Sequence, residues 1–285
     1  MAQENSRVRG GMRKLLDFVL ETHGQSIITT AKVICNKAVY LINRAVRPHS
    51  AASLVHAEWH WARHPFSLRQ RVLWSAALQA WFFPEDESAI ECMLHMPAYE
   101  PIDWVDPQPG DYFLDGGGYV GWYSVRAGRV VGNSGRVVTL EPDTLNRSQL
   151  ERNLALNKLE NVLILPLAIW SHSGNVGWRH GEESVWHRVT DEGELTQESV
   201  SIDELVHKLR LARLDWIKLD IEGGEVEALR GASRTLRDHG PKLFIEVHET
   251  KVVVATILQE AGYKIIRELY DQPPDRHGWI LAQRS

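Results

Sequence analysis

The apolar run Tyr112-Phe-Leu114 ends in Asp115, breaks into Gly116-Gly-Gly118, and reaches Gly121 three residues later. About one helix-plus-strand unit downstream, Val138-Thr-Leu140 ends in a second acid, Glu141. A strand that opens through glycines into a helix, with an acid at the end of the next strand, is how a doubly wound sheet grips the nucleoside half of a cofactor. The downstream carboxylate suits a ribose diol because it accepts hydrogen bonds from two neighbouring hydroxyls. Gly117 and Gly121 are the positions where a missing Cβ should most help the backbone approach a ligand.

Two further pairs have the types and spacing for proton chemistry: Asp220 with Glu222, and Glu246 with His248. Each follows an apolar run, and residues two apart on a strand point to the same side. Open α/β sheets bind their ligands at the carboxyl ends of strands. His248 is the natural base near neutral pH, with Glu246 or Glu222 orienting it or the substrate. Asp220, Glu246 and His248 could instead ligate a divalent cation, the less favoured arrangement, so no residue is assigned to metal. The structural alternative is that these acids sit at helix N-termini, where negative charge is favourable. Lys218, two before Asp220, is placed to pair with a carboxylate inside the sheet domain.

These residues need a scaffold, and the chain supplies alternating elements. The pattern predicts strands at 112–115, 136–141, 162–165, 216–220 and 243–248. Helices are predicted at 120–130, 144–157, 202–211, 225–237 and 251–261. The alternation argues for an α/β fold with a mostly parallel sheet. Residues 263–268 and 279–282 read as two closing strands, which makes the last pair antiparallel. The stretch 171–199 breaks the rhythm and reads as an extra hairpin near the sheet edge, with strand candidates at 176–178 and 185–187. Residues 84–110, rich in Pro, Asp and Glu, read as a linker.

Four blocks in this order and spacing resemble the FkbM-type family of S-adenosylmethionine-dependent methyltransferases. The first two are Phe113–Gly121 and Gly135–Pro142. The third is Asn153 with Asn157, then Asn161-Val162 and Pro166-Leu-Ala168. The fourth is Ile217–Glu225, followed by Leu229-Arg-Gly-Ala232, Pro241 and Glu246-Val-His248. The resemblance runs from about Asp111 to Glu249 and implies a Rossmann-like class I methyltransferase sheet over 101–285. It implies S-adenosylmethionine as cofactor. Asp115 would accept from the methionine ammonium, directly or through water. Gly117, Gly118 and Gly121 would form the loop, Glu141 would hold the ribose, and Leu167 and Ala168 would wall the adenine. Where the family has Ala-Asn this chain has Gly118-Tyr119, and the Tyr119 ring is expected to narrow the methionine pocket or fold over it.

The first hundred residues resemble nothing comparable. Residues 12–83 read as helical, from repeats such as Leu15, Leu16, Val19 and Leu20, with an aromatic-dense run from Trp59 to Phe83. This N-terminal helical extension, 1–100 with its linker, is expected to pack on the sheet domain or on a second subunit as a homodimer. Serving as a lid, or touching a membrane surface, are the alternatives. Between Met1 and Ala80 eleven basic residues face four acids, so this part carries +7 and the remainder −12 of a net −5. The two parts therefore present different surfaces. The net charge gives no general case for nucleic acid.

Cys35 and Cys92 form no ligand spacing and point to a reducing compartment. With no signal-like apolar core in Met1–Met12, a cytoplasmic protein is expected. His56, His60 and His64 share one face at helical spacing but no acidic or cysteine partner recurs beside them, which favours a solvated or interface face over a metal box. The reading that unites these features is a methyltransferase acting on a hydroxyl of a sugar, glycolipid or secondary metabolite, a small-molecule or glycan acceptor. An N-methyltransferase of the same fold, a nicotinamide-dependent oxidoreductase, and a non-catalytic binding module with a docking N-terminus are its rivals.

Overall fold

The computed structural model describes residues 31, 72–75, 78–85, 100–179, 188–190, 195–270 and 277–285. The chain divides into two compact units, Met1–His95 and Met96–Ser285. Outside the described residues lie the helical readings up to 71 (Ala31 apart), Cys35, Cys92, His56, His60, His64, His180 and the strand candidate at 185–187.

In the first unit, β1 (Leu73–Ser75) and β2 (Ala80–Phe82) form an antiparallel hairpin with Leu73 opposite Phe82. This corrects the helical reading of 73–82. Trp74 and Trp81 are seven apart, a spacing that fits one face of a helix. Here they are instead directly opposed across the strands, edge to face at 5.1 Å. The alternation of buried Leu73, Ser75, Ala80 and Phe82 with half-buried Trp74 and Trp81 is the period-two pattern of a strand.

The second unit carries the site. A short 3-10 turn, Ile102–Trp104, leads into β3 (Tyr112–Gly116), α1 (Trp122–Val131), β4 (Arg136–Leu140), α2 (Thr144–Leu156) and β5 (Val162–Leu165). Next come β6 (Ala168–Ile169), β7 (Gly174–Arg179), β8 (Arg188–Thr190), β9 (Leu195–Val200) and α3 (Ile202–Lys208). The chain ends with β10 (Trp216–Leu219), α4 (Glu225–Arg230), α5 (Ser233–Asp238), β11 (Lys242–His248), α6 (Lys251–Glu260), β12 (Tyr263–Tyr270) and β13 (His277–Arg284).

Seven strands form one sheet in the order β12-β13-β11-β10-β3-β4-β5. All neighbours are parallel except β13, which runs antiparallel to both β11 and β12, as the closing pair predicted. The order reverses between β3 and β10, so the two crossovers leave in opposite directions and open a crevice at their carboxyl ends. Phe113, Leu114, Trp216, Ile217, Leu219, Phe244 and Ile245 are all buried, so successive residues on both faces of these strands are shielded from solvent. Lys218 is the polar exception on β10.

Three readings change. The stretch 171–199 is not an edge hairpin but belongs to a separate four-stranded sheet, order β6-β9-β7-β8, because β9 pairs with both β6 and β7. The helix predicted at 225–237 is two helices. A Cβ at Gly231 would come within 2.4 Å of the Trp170 carbonyl, and Asp203 caps the restart by accepting from the Thr235 N–H at 2.7 Å and the Arg234 N–H at 3.0 Å. The described end of the presumed linker is packed, with Glu100, Ile102 and Val105 buried. Among the described residues, no helix is long and apolar enough to cross a membrane.

Candidate active site

The glycine loop between β3 and α1 is shaped by what crowds it. Gly117 adopts φ +79°, and a Cβ there would lie 1.8 Å from the Asp220 carbonyl. At Gly118 it would lie 2.3 Å from the Thr139 side chain. The glycines thus admit neighbouring strand ends. Tyr119 is held at φ +45°, a left-handed conformation unusual for a bulky residue. Its ring meets Trp122 edge to face at 5.1 Å.

What holds Tyr119 is the acid predicted for the ribose. Glu141 Oε2 accepts the Tyr119 N–H at 2.7 Å, and Oε1 accepts the Asp143 N–H at 2.9 Å. Burial pushes the Glu141 carboxyl up to about 7, although both backbone hydrogen bonds favour its ionised form. Each oxygen keeps acceptor capacity beyond these bonds.

Asp115 lies beneath the loop and is fully enclosed. Its Oδ2 accepts from the Ser124 hydroxyl at 2.5 Å, and Oδ1 accepts no hydrogen bond and stands 3.4 Å from the Lys218 ammonium. An enclosed acceptor with an open position fits contact with a ligand ammonium through water rather than directly. Burial raises the Asp115 carboxyl above the usual range, partly offset by Lys218. Lys218 pairs as predicted: its ammonium donates to the Gly117 carbonyl at 2.8 Å and stands 3.4 Å from both Asp115 and Asp220. Burial alone would lower this ammonium's pKa, but Asp220, Asp115, Glu100 and Glu246 together hold it above its ordinary value.

Sequence reasoning missed Glu100. It accepts the Tyr123 hydroxyl at 2.6 Å, and burial, then Glu246 and Asp220, raise its carboxyl to about 8. The Tyr123 ring in turn lies 5.3 Å from the Lys218 ammonium. The available signal was a glutamate immediately before a Pro-Ile turn, which composition alone reads as solvated.

The second cluster gathers at the carboxyl ends of β10 and β11. His248 Nε2 stands 3.6 Å from Glu222 and 3.9 Å from Glu246, and its Nδ1 is 3.1 Å from Glu225. Burial disfavours the charged ring, but Glu225, Glu222 and Glu246 outweigh it and raise the imidazole to about 10. Its carboxylate neighbours therefore favour the protonated ring over the neutral one expected of a base. Glu222 sits at φ +53°, and its carboxyl is raised to about 7 by burial despite His248 nearby. Two further members went unassigned from sequence. Glu225 is wholly buried and accepts from the Gly223 N–H and the Thr250 hydroxyl, both at 2.9 Å. His277 reaches Glu246 at 2.5 Å.

The structure therefore brings Asp220, Glu222, Glu246 and His248 together, and puts Asp115, Gly117, Gly118, Gly121 and Glu141 in one loop system. Ala168 is buried within β6, whereas Leu167 is half-buried and packs at the edge of the core. Of the two adenine-wall candidates, only Leu167 is accessible.

A sheet of this order, with its antiparallel seventh strand inserted between β11 and β12, is the class I S-adenosylmethionine-dependent methyltransferase fold. A dinucleotide-binding oxidoreductase sheet would continue past β11 with a parallel strand. The match to the methyltransferase FkbM domain spans residues 115–265, and the chain belongs to that family. It is a methyltransferase. Methyltransferase sdnD of Sordaria araneosa is 25% identical over 212 residues, covering 61% of this chain and 82% of the relative. Hexuronic acid methyltransferase AglP of Haloferax volcanii is 28% identical over 109 residues, 38% of this chain and 44% of the relative. The methyltransferase FkbM structure from Methylobacillus flagellatus KT superposes with TM-score 0.47 at 18% identity, covering 68% of this chain and 55% of that one. The chain thus spans about half the length of that solved structure and less than half of AglP.

Proposed function

We propose that this methyltransferase transfers its methyl group to a hydroxyl oxygen of a small-molecule or glycan acceptor. One observation carries the reading: Asp220, Glu222 and Glu246 converge with His248 at the carboxyl ends of β10 and β11, alongside a loop fit for a nucleoside cofactor. The similarity to a hexuronic acid methyltransferase supports a carbohydrate among the acceptors.

The residues present fit S-adenosylmethionine. Glu141 offers acceptors only, matching a ribose diol, and Asp115 Oδ1 is an acceptor without a hydrogen bond, matching an ammonium relayed by water. When bound, that cofactor supplies a methyl group on a positively charged sulfur. The chain's part is to hold the acceptor in line and take its proton. The carboxylates of Asp220 and Glu222 remain partly exposed at the mouth of this cluster and are placed to accept that proton. His248 positions Glu222. Lys218 anchors Asp220 and the Gly117 carbonyl from the other side.

Incubating the protein with methyl-labelled S-adenosylmethionine and a panel of sugars, polyols and amines, followed by mass spectrometry, tests the reading. A methyl ether product, reduced at least 100-fold by Asp220→Asn or Glu222→Gln, supports it. Methylated amines alone would overturn it.

A further inference from the structure

Glu246, His248 and His277 bring two imidazoles and a carboxylate to one point, and we propose that they bind a divalent transition-metal cation, with the remaining coordination position left to water. The register makes the constellation. β11 and β13 pair antiparallel with His248 directly opposite His277, and the ring centroids are 5.4 Å apart. Glu246 is two residues before His248 on β11, so it shares that face.

The donor atoms are already close. His277 Nε2 is 2.5 Å from Glu246 Oε1, the same oxygen is 3.9 Å from His248 Nε2, and that nitrogen is 3.6 Å from Glu222 Oε2. One donor atom from each of Glu246, His248 and His277 lies within 4.8 Å of the others, and the same holds for Asp220, Glu222 and His248. A tetrahedral cation with ligands at about 2.0–2.2 Å needs donors roughly 3.3–3.6 Å apart. Small side-chain adjustments meet that.

The surrounding shell supplies a second, independent feature. His248 Nδ1 faces Glu225, a fully buried carboxylate itself fixed by the Gly223 N–H and the Thr250 hydroxyl. A carboxylate behind an imidazole sets its tautomer and orients the other nitrogen toward a metal. Two imidazole nitrogens with carboxylate oxygens suit manganese, iron, cobalt, nickel or zinc rather than magnesium or calcium, which prefer all-oxygen shells. The cation site stands on these side chains alone and does not depend on oxygen being the methyl acceptor.

Cobalt(II) is the probe, because its visible absorption reports imidazole and carboxylate ligation without any activity measurement. Full-length protein freed of metal by chelator, titrated with cobalt(II), is expected to develop a ligand-field band saturating at one equivalent with micromolar or tighter affinity. His277→Ala and Glu246→Gln should each weaken binding at least tenfold, and Glu225→Gln by about 10- to 100-fold through loss of orientation. Circular dichroism of each variant separates ligand loss from unfolding; if His277→Ala unfolds, Glu246→Gln carries the test. No saturable band, or one unchanged in the folded variants, overturns the site.

Discussion

The Glu141 carboxylate takes the Tyr119 backbone N–H at 2.7 Å, so the acid proposed to hold the ribose also clamps a bulky residue at positive φ in the glycine loop. In that proposal loop shape and ribose recognition hang on one side chain, and the Tyr119 ring rests on Trp122. Because burial holds the Glu141 carboxyl near 7, its charge changes within the physiological range.

That position fixes the sign of a pH effect. Ribose hydroxyls donate, so they favour the ionised carboxylate. Affinity for S-adenosylmethionine should rise roughly tenfold from pH 6 to pH 8, as the ionised fraction grows through about 7. Calorimetric titration across that range, with Glu141→Gln expected to show a flatter profile, checks it.

Glu100 gives a second pH dependence, this one on stability. Its folded carboxyl at about 8 lies above the ordinary value of 4.5, so its contribution is fully present below about 4.5 and is lost as pH rises through 8. Glu141 and Glu222 act in the same direction up to about 7. Glu100→Gln should reduce the fall in melting temperature between pH 5 and pH 9, measured by thermal denaturation.

Lys218 is a buried cation between two carboxylates, and removing it leaves them uncompensated. Lys218→Met should destabilise the protein by about 3–5 kcal/mol. The double variant Lys218→Met with Asp115→Asn should recover part of that loss. Urea denaturation of the two proteins gives the comparison.

Two glycines separate crowding from backbone strain. Gly223 has φ +98° but open space around it, whereas Gly117 combines φ +79° with the Asp220 carbonyl 1.8 Å from a would-be Cβ. Gly223→Ala should cost about 1–3 kcal/mol, for backbone strain alone. Gly117→Ala should cost clearly more and also weaken cofactor binding, since the loop must move. Equal melting temperatures for the two variants would contradict the packing described.

The parallel part of the central sheet was legible in the sequence because β3, β4, β5, β10 and β11 are built on short apolar runs, and β3, β4 and β10 run straight into glycine or an acid. Asp115, Glu141, Asp220 and Glu222 were legible for the same reason: each closes or directly follows such a run. The hairpin at 73–82 was not, since Trp74 and Trp81 fit helix spacing as well as strand pairing. Glu100 lay in a stretch whose composition reads as solvated, and its burial depends on Tyr123, 23 residues away. His277 needed the β11–β13 register, which no local pattern encodes. The raised basicity of His248 depends on three carboxylates from two segments, of which sequence showed only the types.

The most direct measurement is calorimetric titration of the purified chain with S-adenosylmethionine, beside NAD and the Glu141→Ala variant. Micromolar binding of S-adenosylmethionine, no binding of NAD, and a loss of about 1–3 kcal/mol in the variant are predicted, as expected for losing charged hydrogen bonds. Well-folded protein that binds no S-adenosylmethionine, or binds it equally well without Glu141, would contradict the account of the site.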